Sequence, residues 1–273
     1  MKYEISMLKM SIPKRCYLFY IFIFAIFLPL QHLQAQPPQQ VVILVDDSHP
    51  PYTYLHKGEL TGIYVDLVKE AANLLKNDYT IKLQPIPWKR GIDSLKQGRE
   101  FAILPPYKHK VDRYFISPYS IALQTEVVQA FCNPGFSLKN IEHNLLTAPP
   151  INVGLNAGFL VLDDALKRAE KQGKIKRWEN KSTLSNIIKL AKKRIDCFIS
   201  EKLSFQYGVQ KIQYTDPEID LTELIDDKII FEHTAHIGYL KDADDNYPFK
   251  DDFIEKMDKA LQSVINKRNK NKH

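Results

Sequence analysis

The sequence predicts an α/β protein of two lobes, each a mixed sheet flanked by helices, with a ligand cleft between them. Residues 41–104 alternate between β-branched runs and helical spacing in the order β-α-β-α-β, which is typical of a mostly parallel sheet covered by helices. The alternation returns over residues 151–207, and long predicted strands near 121–131 and over 228–240 join the two units. In such folds ligands bind at the carboxyl ends of strands and at domain junctions.

The first unit begins with the apolar run VVILVD (41–46), which predicts a buried strand. The segment YTYLHKGELTG predicts a hairpin that turns at Lys57 and Gly58. The remaining predicted elements of this unit are a helix over 62–75, a strand over 79–86, a helix over 88–97 and a strand over 100–104.

The second unit repeats the pattern after a turn at Asn133-Pro134-Gly135. Its predicted elements are strands over 151–158, 174–178 and 195–200, and helices over 160–171, 184–193 and 201–207. An amphipathic helix over 253–264 closes the predicted fold, because its apolar residues recur at helical spacing.

The first 35 residues have the composition of a secretory signal peptide. Lys9, Lys14 and Arg15 precede the apolar run CYLFYIFIFAIFLPL, which is too short to span a bilayer comfortably. The following QHLQAQ places Ala35 at a suitable cleavage site. We therefore expect cleavage near Ala35 and a periplasmic protein, with an uncleaved N-terminal anchor as the alternative.

The charge balance argues against a nucleic-acid partner. The full chain carries +6, and residues 1–35 hold four cations and one anion, so the remainder carries +3. Such a mild excess does not indicate nucleic-acid binding, and export argues against it. Much of the excess lies in residues 268–273, which we expect to form a disordered basic tail. A monomer is expected.

Beyond the predicted signal peptide, the chain has two cysteines, Cys132 and Cys197. In an oxidising compartment they can pair if their Cα atoms approach within about 7 Å, and two buried free thiols are the alternative. Neither belongs to a CxxC motif or a Cys/His cluster, so the sequence predicts no metal site and no cofactor.

Five segments, taken in order, resemble motifs of the bacterial extracellular solute-binding proteins of family 3. They are PPYTYLHKGELTGIYVDLVKEAANLL, the pattern W-(x6)-L-x2-G followed by a strand and an Arg, VGLNAGF, KRIDCFISE and HIGYLKDADD. The matches run over roughly residues 41 to 265. The resemblance implies a two-lobed periplasmic-binding-protein-like fold of type II, with residues 41–125 and 229–267 in lobe 1 and residues 126–228 in lobe 2.

The same resemblance implies a function. The lobes would close on a small polar ligand, an amino acid or a related carboxylate, and the closed form would serve the membrane subunits of an ABC importer. One alternative is a stand-alone sensory or interaction module with an altered cleft. Another is a cyclohexadienyl-dehydratase-like enzyme that uses Glu201 as a general acid, although no motif in the sequence favours catalysis.

Three residues carry the main roles that the resemblance implies. Arg113 matches the arginine that holds the ligand carboxylate, a task suited to a planar guanidinium. Trp88 matches an aromatic wall of the cleft, and Glu201 the acid that holds the ligand ammonium group. Each also has an ordinary structural interpretation: a solvated arginine in KHKVDR, a core tryptophan and an acid in the first turn of a helix.

Four further candidates come from the first lobe. By the same resemblance, Asp46, or Asp47 in its place, would face a cationic ligand side chain. Tyr52 matches an aromatic of the cleft, and His49 would stack on the ligand or donate a hydrogen bond to it. Arg90 would be a second anion contact, or else a surface residue of its helix.

Gly158, Phe159 and Tyr107 complete the predicted ligand-binding set. Gly158 would let backbone N–H groups approach the ligand carboxylate near a helix start, and Phe159 flanks that turn.

At three positions the chain departs from the family pattern. Phe101 stands where an aspartate is usual, and Pro105 and Pro106 stand where small hydroxyl residues are usual. Proline has neither an N–H group nor a side-chain donor. We therefore expect a cleft floor with fewer hydrogen-bond donors. This weakens the case for classical α-amino acids and also fits a more apolar ligand, a peptide-like ligand or a degenerate cleft without a transport role.

Overall fold

The computed structural model describes residues 37–143, 149–241 and 246–271. The predicted signal peptide and its cleavage site lie outside these residues. Within the described part of the chain, no helix is both long and apolar enough to cross a membrane.

Strands and helices alternate along most of the chain. The strands are β1 Gln39–Asp46, β2 Ser48–His49, β3 Thr53–His56, β4 Glu59–Thr61, β5 Tyr79–Ile86, β6 Ala102–Leu104, β7 Ile116–Tyr119, β8 Gln124–Cys132, β9 Ile151–Asn156, β10 Ile175–Asn180, β11 Cys197–Glu201, β12 Ile225–Ala235 and β13 Gly238–Leu240. The helices are α1 Ile63–Leu74, α2 Trp88–Lys96, α3 Asp164–Lys171, α4 Thr183–Ala191, α5 Lys202–Thr215 and α6 Lys250–Lys270, with a 3-10 turn at Ile141–His143.

The strands form two mixed five-stranded sheets, which confirms the predicted fold class. The first sheet has the order β5-β1-β6-β13-β7, and the second has the order β10-β9-β11-β8-β12. In each, a parallel core is extended by antiparallel strands. A small antiparallel sheet of β2, β3 and β4 follows β1 and carries His49.

Burial on both faces explains why β1 is a continuous apolar run. Val41, Ile43 and Val45 point to a core that includes residues of α1 and α6. Leu44 points the other way, into a second cluster with Trp88 of α2. A strand covered on both faces needs apolar residues at successive positions, and its end delivers Asp46 to the sheet edge.

The chain crosses between the two sheets at residues 120–123 and 236–237. The prediction of one strand over 228–240 is wrong here, because β12 ends in the second sheet and β13 begins in the first. The N–H of His236 donates to the carbonyl of Pro106, and that of Ile237 to Ser120 Oγ, instead of to a neighbouring strand. These long-range bonds are not visible in the local pattern.

The two crossings are bonded to each other. The N–H of Ser120 donates to the carbonyl of Ile237 over 2.8 Å. The predicted boundary between residues 228 and 229 falls inside β12, which pairs with β8 from Ile225 to Ala235. The assignment of residues to two lobes with the predicted boundaries stays a prediction.

Three helices differ from their predicted bounds. Helix α3 begins at Asp164 instead of 160, because the side chain of Asp163 accepts the N–H of Leu166 over 2.7 Å and caps the helix. Helix α5 continues to Thr215, past the predicted end at 207. Helix α6 continues to Lys270, past the predicted end at 264.

The longer α6 corrects the prediction of a disordered tail from residue 268, since residues 268–270 are helical. Arg268 donates to Glu70 of α1 over 2.5 Å. The basic residues of the last turn also favour the negative end of the helix dipole. Residues 272 and 273 lie outside the described part of the chain.

A disulfide joins the two cysteines whose pairing the sequence left open. Cys132 and Cys197 lie opposite each other on the antiparallel strands β8 and β11, with Cα atoms 4.0 Å apart. Both residues are fully buried. The cross-link therefore fixes the central strand pair of the second sheet.

Replacing both cysteines by alanine should lower the free energy of unfolding by about 2–4 kcal/mol, because the bond closes a long loop in the unfolded chain. Urea unfolding of the variant and of the wild type measures the difference. The accompanying check is a thiol titration of denatured, unreduced protein, in which Cys132 and Cys197 should not react. Reaction of both thiols would contradict the pairing.

Candidate functional site

Residues from both sheets line a cavity between the carboxyl end of β1 and that of β11. The cavity measures about 20 Å³, which is room for about one water molecule. The cleft is thus nearly filled by its own side chains. The lining residues are Asp46, His49, Trp88, Pro105, Tyr107, His109, Arg113, Phe159, Leu160, Val161 and Glu201.

Arg113 is a buried cation on one wall of the cleft. Only 4% of its surface is exposed. Its Nη2 donates to the carbonyl of Gly158 over 3.0 Å, and its guanidinium carbon lies 5.1 Å from the centre of the Trp88 ring. Burial lowers the pKa of Arg113 to about 10. A buried guanidinium whose contacts are a carbonyl and a ring favours an anionic ligand.

Trp88 and Phe159 form an aromatic wall from opposite sheets. Trp88 is the first residue of α2, and its Nε1 donates to the carbonyl of Gly158 over 3.3 Å. Phe159 meets the Trp88 ring edge-on at 5.8 Å and the His49 ring edge-on at 5.3 Å. The pair supplies flat apolar surface with a polar edge.

Gly158 acts through its carbonyl, whereas the sequence predicted that N–H groups near a helix start would face the ligand. The next helix along the chain, α3, begins only at Asp164. The backbone at Gly158 has φ +79, and an added Cβ would lie 3.3 Å from Cβ of Lys89. A side chain here would meet both a strained conformation and the facing helix.

The opposite wall holds two buried carboxyl groups that meet at one phenol. Tyr107 Oη lies 2.5 Å from Oε2 of Glu126 and 2.9 Å from Oε1 of Glu201. Tyr64 also donates to Glu126. Burial, followed by the nearby Glu201 carboxylate, raises the pKa of Glu126. Since a phenol has one hydrogen to donate, this cluster favours an additional proton or a cation.

His49 and Asp46 extend the acidic wall. Nε2 of His49 lies 3.6 Å from Oε2 of Glu201, and burial lowers the pKa of His49 despite that carboxylate. The Asp46 carboxylate accepts the N–H of Ser48 over 3.0 Å. Burial raises the pKa of Asp46 to about 8, against the lowering effect of the Ser48 bond and with additional repulsion from Asp47 and Glu201.

Three predicted residues do not line the cavity: Tyr52, Arg90 and Gly158, whose carbonyl instead accepts bonds from Arg113 and Trp88. Tyr52 is buried behind His49, where its ring stacks on Tyr64 at 5.0 Å. Arg90 is exposed on α2, because it lies two positions after Trp88 and therefore faces away from the cleft. The prediction that Arg90 contacts a ligand finds no support in its position.

The departures from the family pattern have different structural roles. Pro105 lines the cavity, while the carbonyl of Pro106 accepts the N–H of His236 at a crossing between the sheets. Phe101 packs in an aromatic cluster away from the cleft, with Tyr239, Tyr247, Phe249 and Phe253. Of the three departures, Pro105 is the one that changes the cleft surface.

Sequence reasoning missed Glu126. It is buried on β8 and shares one strand face with Val128, Ala130 and Cys132. A single acid in line with an apolar strand face is a signal of a buried carboxyl. His109, Leu160 and Val161 were also missed, since they lie in loops without a local motif.

A second cavity of about 210 Å³ adjoins the first and shares Asp46, Trp88 and Phe159 with it. Its other lining residues are mostly polar or charged: Asp47, Ser48, Pro87, Lys89, Asn156, Ala157, Glu179, Asn180 and Lys181. Lys89 and Glu179 approach to 3.7 Å across this cavity. The space beyond the aromatic wall therefore suits polar groups.

The burial of the Asp46 carboxyl can be tested through the pH dependence of stability. The raised pKa of Asp46 means that its contribution to stability is complete below about pH 4 and is lost as the pH rises toward 8. Asp46→Asn keeps an acceptor for Ser48 but cannot ionise. Between pH 5 and pH 7, we expect the free energy of unfolding of the variant to rise relative to that of the wild type by about 1 kcal/mol per pH unit. Urea unfolding at the two pH values measures this difference. Equal differences at both pH values would contradict the buried position of this carboxyl.

The sequence matches one known protein family over most of its length. The model of the bacterial extracellular solute-binding proteins, family 3, matches residues 41–271. No curated protein matches the sequence significantly.

Many solved structures share the fold. A putative L-cystine ABC transporter from Listeria monocytogenes has a TM-score of 0.65 at 20% identity, over 84% of this chain and 91% of that chain. The arginine-, lysine-, histidine-binding protein ArtJ from Geobacillus stearothermophilus has a TM-score of 0.59 at 17% identity, over 84% and 90%. A histidine kinase sensor domain with similarity to periplasmic binding proteins has a TM-score of 0.65 at 13% identity, over 85% and 93%.

At these identities the solved structures show the fold alone, which is that of two-lobed periplasmic binding proteins. The family model, in contrast, spans most of the chain and both sheets. The chain therefore belongs to the bacterial extracellular solute-binding proteins, family 3, whose members bind small-molecule ligands.

Proposed function

We propose that this protein captures a small zwitterionic ligand, an amino acid or a related carboxylate, in the cleft between its two sheets. The observation that carries the proposal is the separation of a buried cation from buried carboxyl groups. Arg113 stands on one wall, while Glu201 and Asp46 stand on the other. A ligand with a carboxylate and an ammonium group matches both walls at once.

The carboxylate of the ligand would replace the carbonyl of Gly158 as the partner of Arg113. A carbonyl is a neutral acceptor, whereas a carboxylate offers two charged acceptors to the guanidinium fork. The exchange would free the Gly158 carbonyl for a donor on the ligand, and Trp88 would supply a flat apolar wall.

The ammonium group would bind near Glu201, which is 1% exposed and ends β11. The side chain of the ligand has its room in the adjoining cavity of about 210 Å³. The charged lining of that cavity supports a polar side chain. Two similar structures, a putative L-cystine ABC transporter and an arginine-, lysine-, histidine-binding protein, agree with such a ligand class.

Ligand binding would work by a shift between open and closed arrangements. Arg113 and Trp88 of the first lobe both bond to Gly158 of the second, so these contacts exist only when the lobes meet. A ligand that bonds to both walls favours the closed arrangement by its better contacts there. We further propose that the protein is exported to the periplasm and delivers its ligand to the membrane subunits of an ABC importer.

A thermal-shift screen over amino acids and short peptides tests the proposal. A ligand at 100 times its Kd should stabilise the protein by about 2.7 kcal/mol, which raises Tm by several degrees. Failure of every ligand in the screen to raise Tm would contradict amino-acid binding.

Arg113→Ala should abolish the shift produced by any carboxylate ligand, since the anion would lose its buried partner. Arg113→Lys should retain part of it, because an ammonium keeps the charge without the planar fork. Arg90→Ala is the matched control, since Arg90 lies exposed on α2. If the ligand raised the Tm of Arg113→Ala as much as that of the wild type, Arg113 would not be part of the binding site.

A further inference from the structure

We propose that His49, Glu126 and Glu201 form a binding site for one divalent metal ion of the zinc type, on the acidic side of the cleft. This site goes beyond the proposed capture of an amino acid and does not depend on that ligand. Because both would use Glu201, the ion and the ligand ammonium group would compete for this carboxylate. The sequence predicted no metal site, because the three residues are far apart in the chain and form no local motif.

The geometry of the three side chains fits a metal ion. One ligating atom of each residue lies within 4.8 Å of the other two, and Nε2 of His49 lies 3.6 Å from Oε2 of Glu201. Zinc takes nitrogen and carboxylate ligands at about 2.0–2.2 Å, in tetrahedral sites. Ligand atoms are then about 3.5 Å apart, so small side-chain rotations would complete the site.

The imidazole of His49 provides independent support. His49 is 2% exposed, and its Nδ1 lies 3.5 Å from Oγ of Ser204. Its Nε2 faces Oε2 of Glu201 at 3.6 Å, just beyond hydrogen-bond distance. Imidazole nitrogen is a preferred zinc ligand, and an ion between the two atoms would bond to both.

Among the described residues, no lysine or arginine forms an ion pair with Glu126 or Glu201. Glu126 receives bonds from the phenols of Tyr64 and Tyr107, and Glu201 lies beside Tyr107 and Ser200. All these partners are neutral. Buried carboxylates are ordinarily paired with a cation or bound to a metal.

The surrounding phenols, Tyr64 and Tyr107, would hold the two carboxylates in place around an ion. Hydrogen bonds from Tyr64 and Tyr107 orient the carboxylates, as they do around protein metal ligands. Each carboxylate oxygen accepts more than one bond, so Glu126 keeps lone pairs for an ion. Oε2 of Glu201, the oxygen nearer His49, is not the one that faces Tyr107.

An ion at this position would tie the two sides of the cleft together. His49 lies on β2, next to the first sheet, whereas Glu126 and Glu201 lie on β8 and β11 of the second sheet. Metal binding would thus favour the closed arrangement even without an organic ligand.

Isothermal titration of untagged, chelator-treated protein with ZnSO4 tests the site. We expect one ion per chain and a rise in Tm on addition of Zn²⁺ alone. His49→Gln and Glu126→Gln should each weaken binding by at least tenfold. His56→Gln is the matched control, because His56 is an exposed histidine of the same small sheet, and it should bind as the wild type does.

Two results would overturn the proposal: no binding by the wild type, or equal affinity in the wild type and His49→Gln. If circular dichroism shows that a variant does not fold, anomalous scattering from zinc-soaked wild-type crystals shows whether zinc binds at this site. Density between His49, Glu126 and Glu201 supports the site, and density elsewhere alone refutes it. Because no amino acid is present in these experiments, their outcome is separate from that of the ligand screen.

Discussion

Two short segments carry the chain between its five-stranded sheets, and hydrogen bonds hold these segments side by side. The N–H of Ser120 donates to the carbonyl of Ile237, so the two connections lie against each other where the chain passes between the sheets. The same constraint brings the carboxyl end of β1 opposite that of β11, where Asp46 and Glu201 reach the cleft. The chemistry of the cleft therefore depends on how these two backbone connections are bonded.

Local patterns were sufficient for most strands and for the order of the fold. The β-branched run of β1 is unambiguous because both its faces are buried. The placement of Trp88, Arg113 and Glu201 in the cleft came from the family resemblance, and all three line the cavity. The break between β12 and β13 could not be predicted, since it is made by distant partners. The position of Glu126 beside Glu201 likewise depends on strand pairing, which spacing along the chain does not encode.

Burial gives the charged groups of the cleft their importance. In water, Arg113 and Glu201 would have little influence on any ligand, because solvent screens such charges. In the closed cleft, a cavity of about 20 Å³ leaves almost no solvent to do so. Each buried charge then favours a partner of opposite sign. The exclusion of water thus makes these charges costly to bury and also makes the cleft selective for ligands of complementary charge.

The position of Trp88 makes its intrinsic fluorescence sensitive to opening of the cleft. The sequence contains two tryptophans; Trp88 is 7% exposed at the meeting of the lobes, while Trp178 is 44% exposed on β10. Opening the cleft would bring water to the Trp88 indole and leave the surroundings of Trp178 nearly unchanged. The emission wavelength of the native protein should therefore follow the motion of its lobes without any added label.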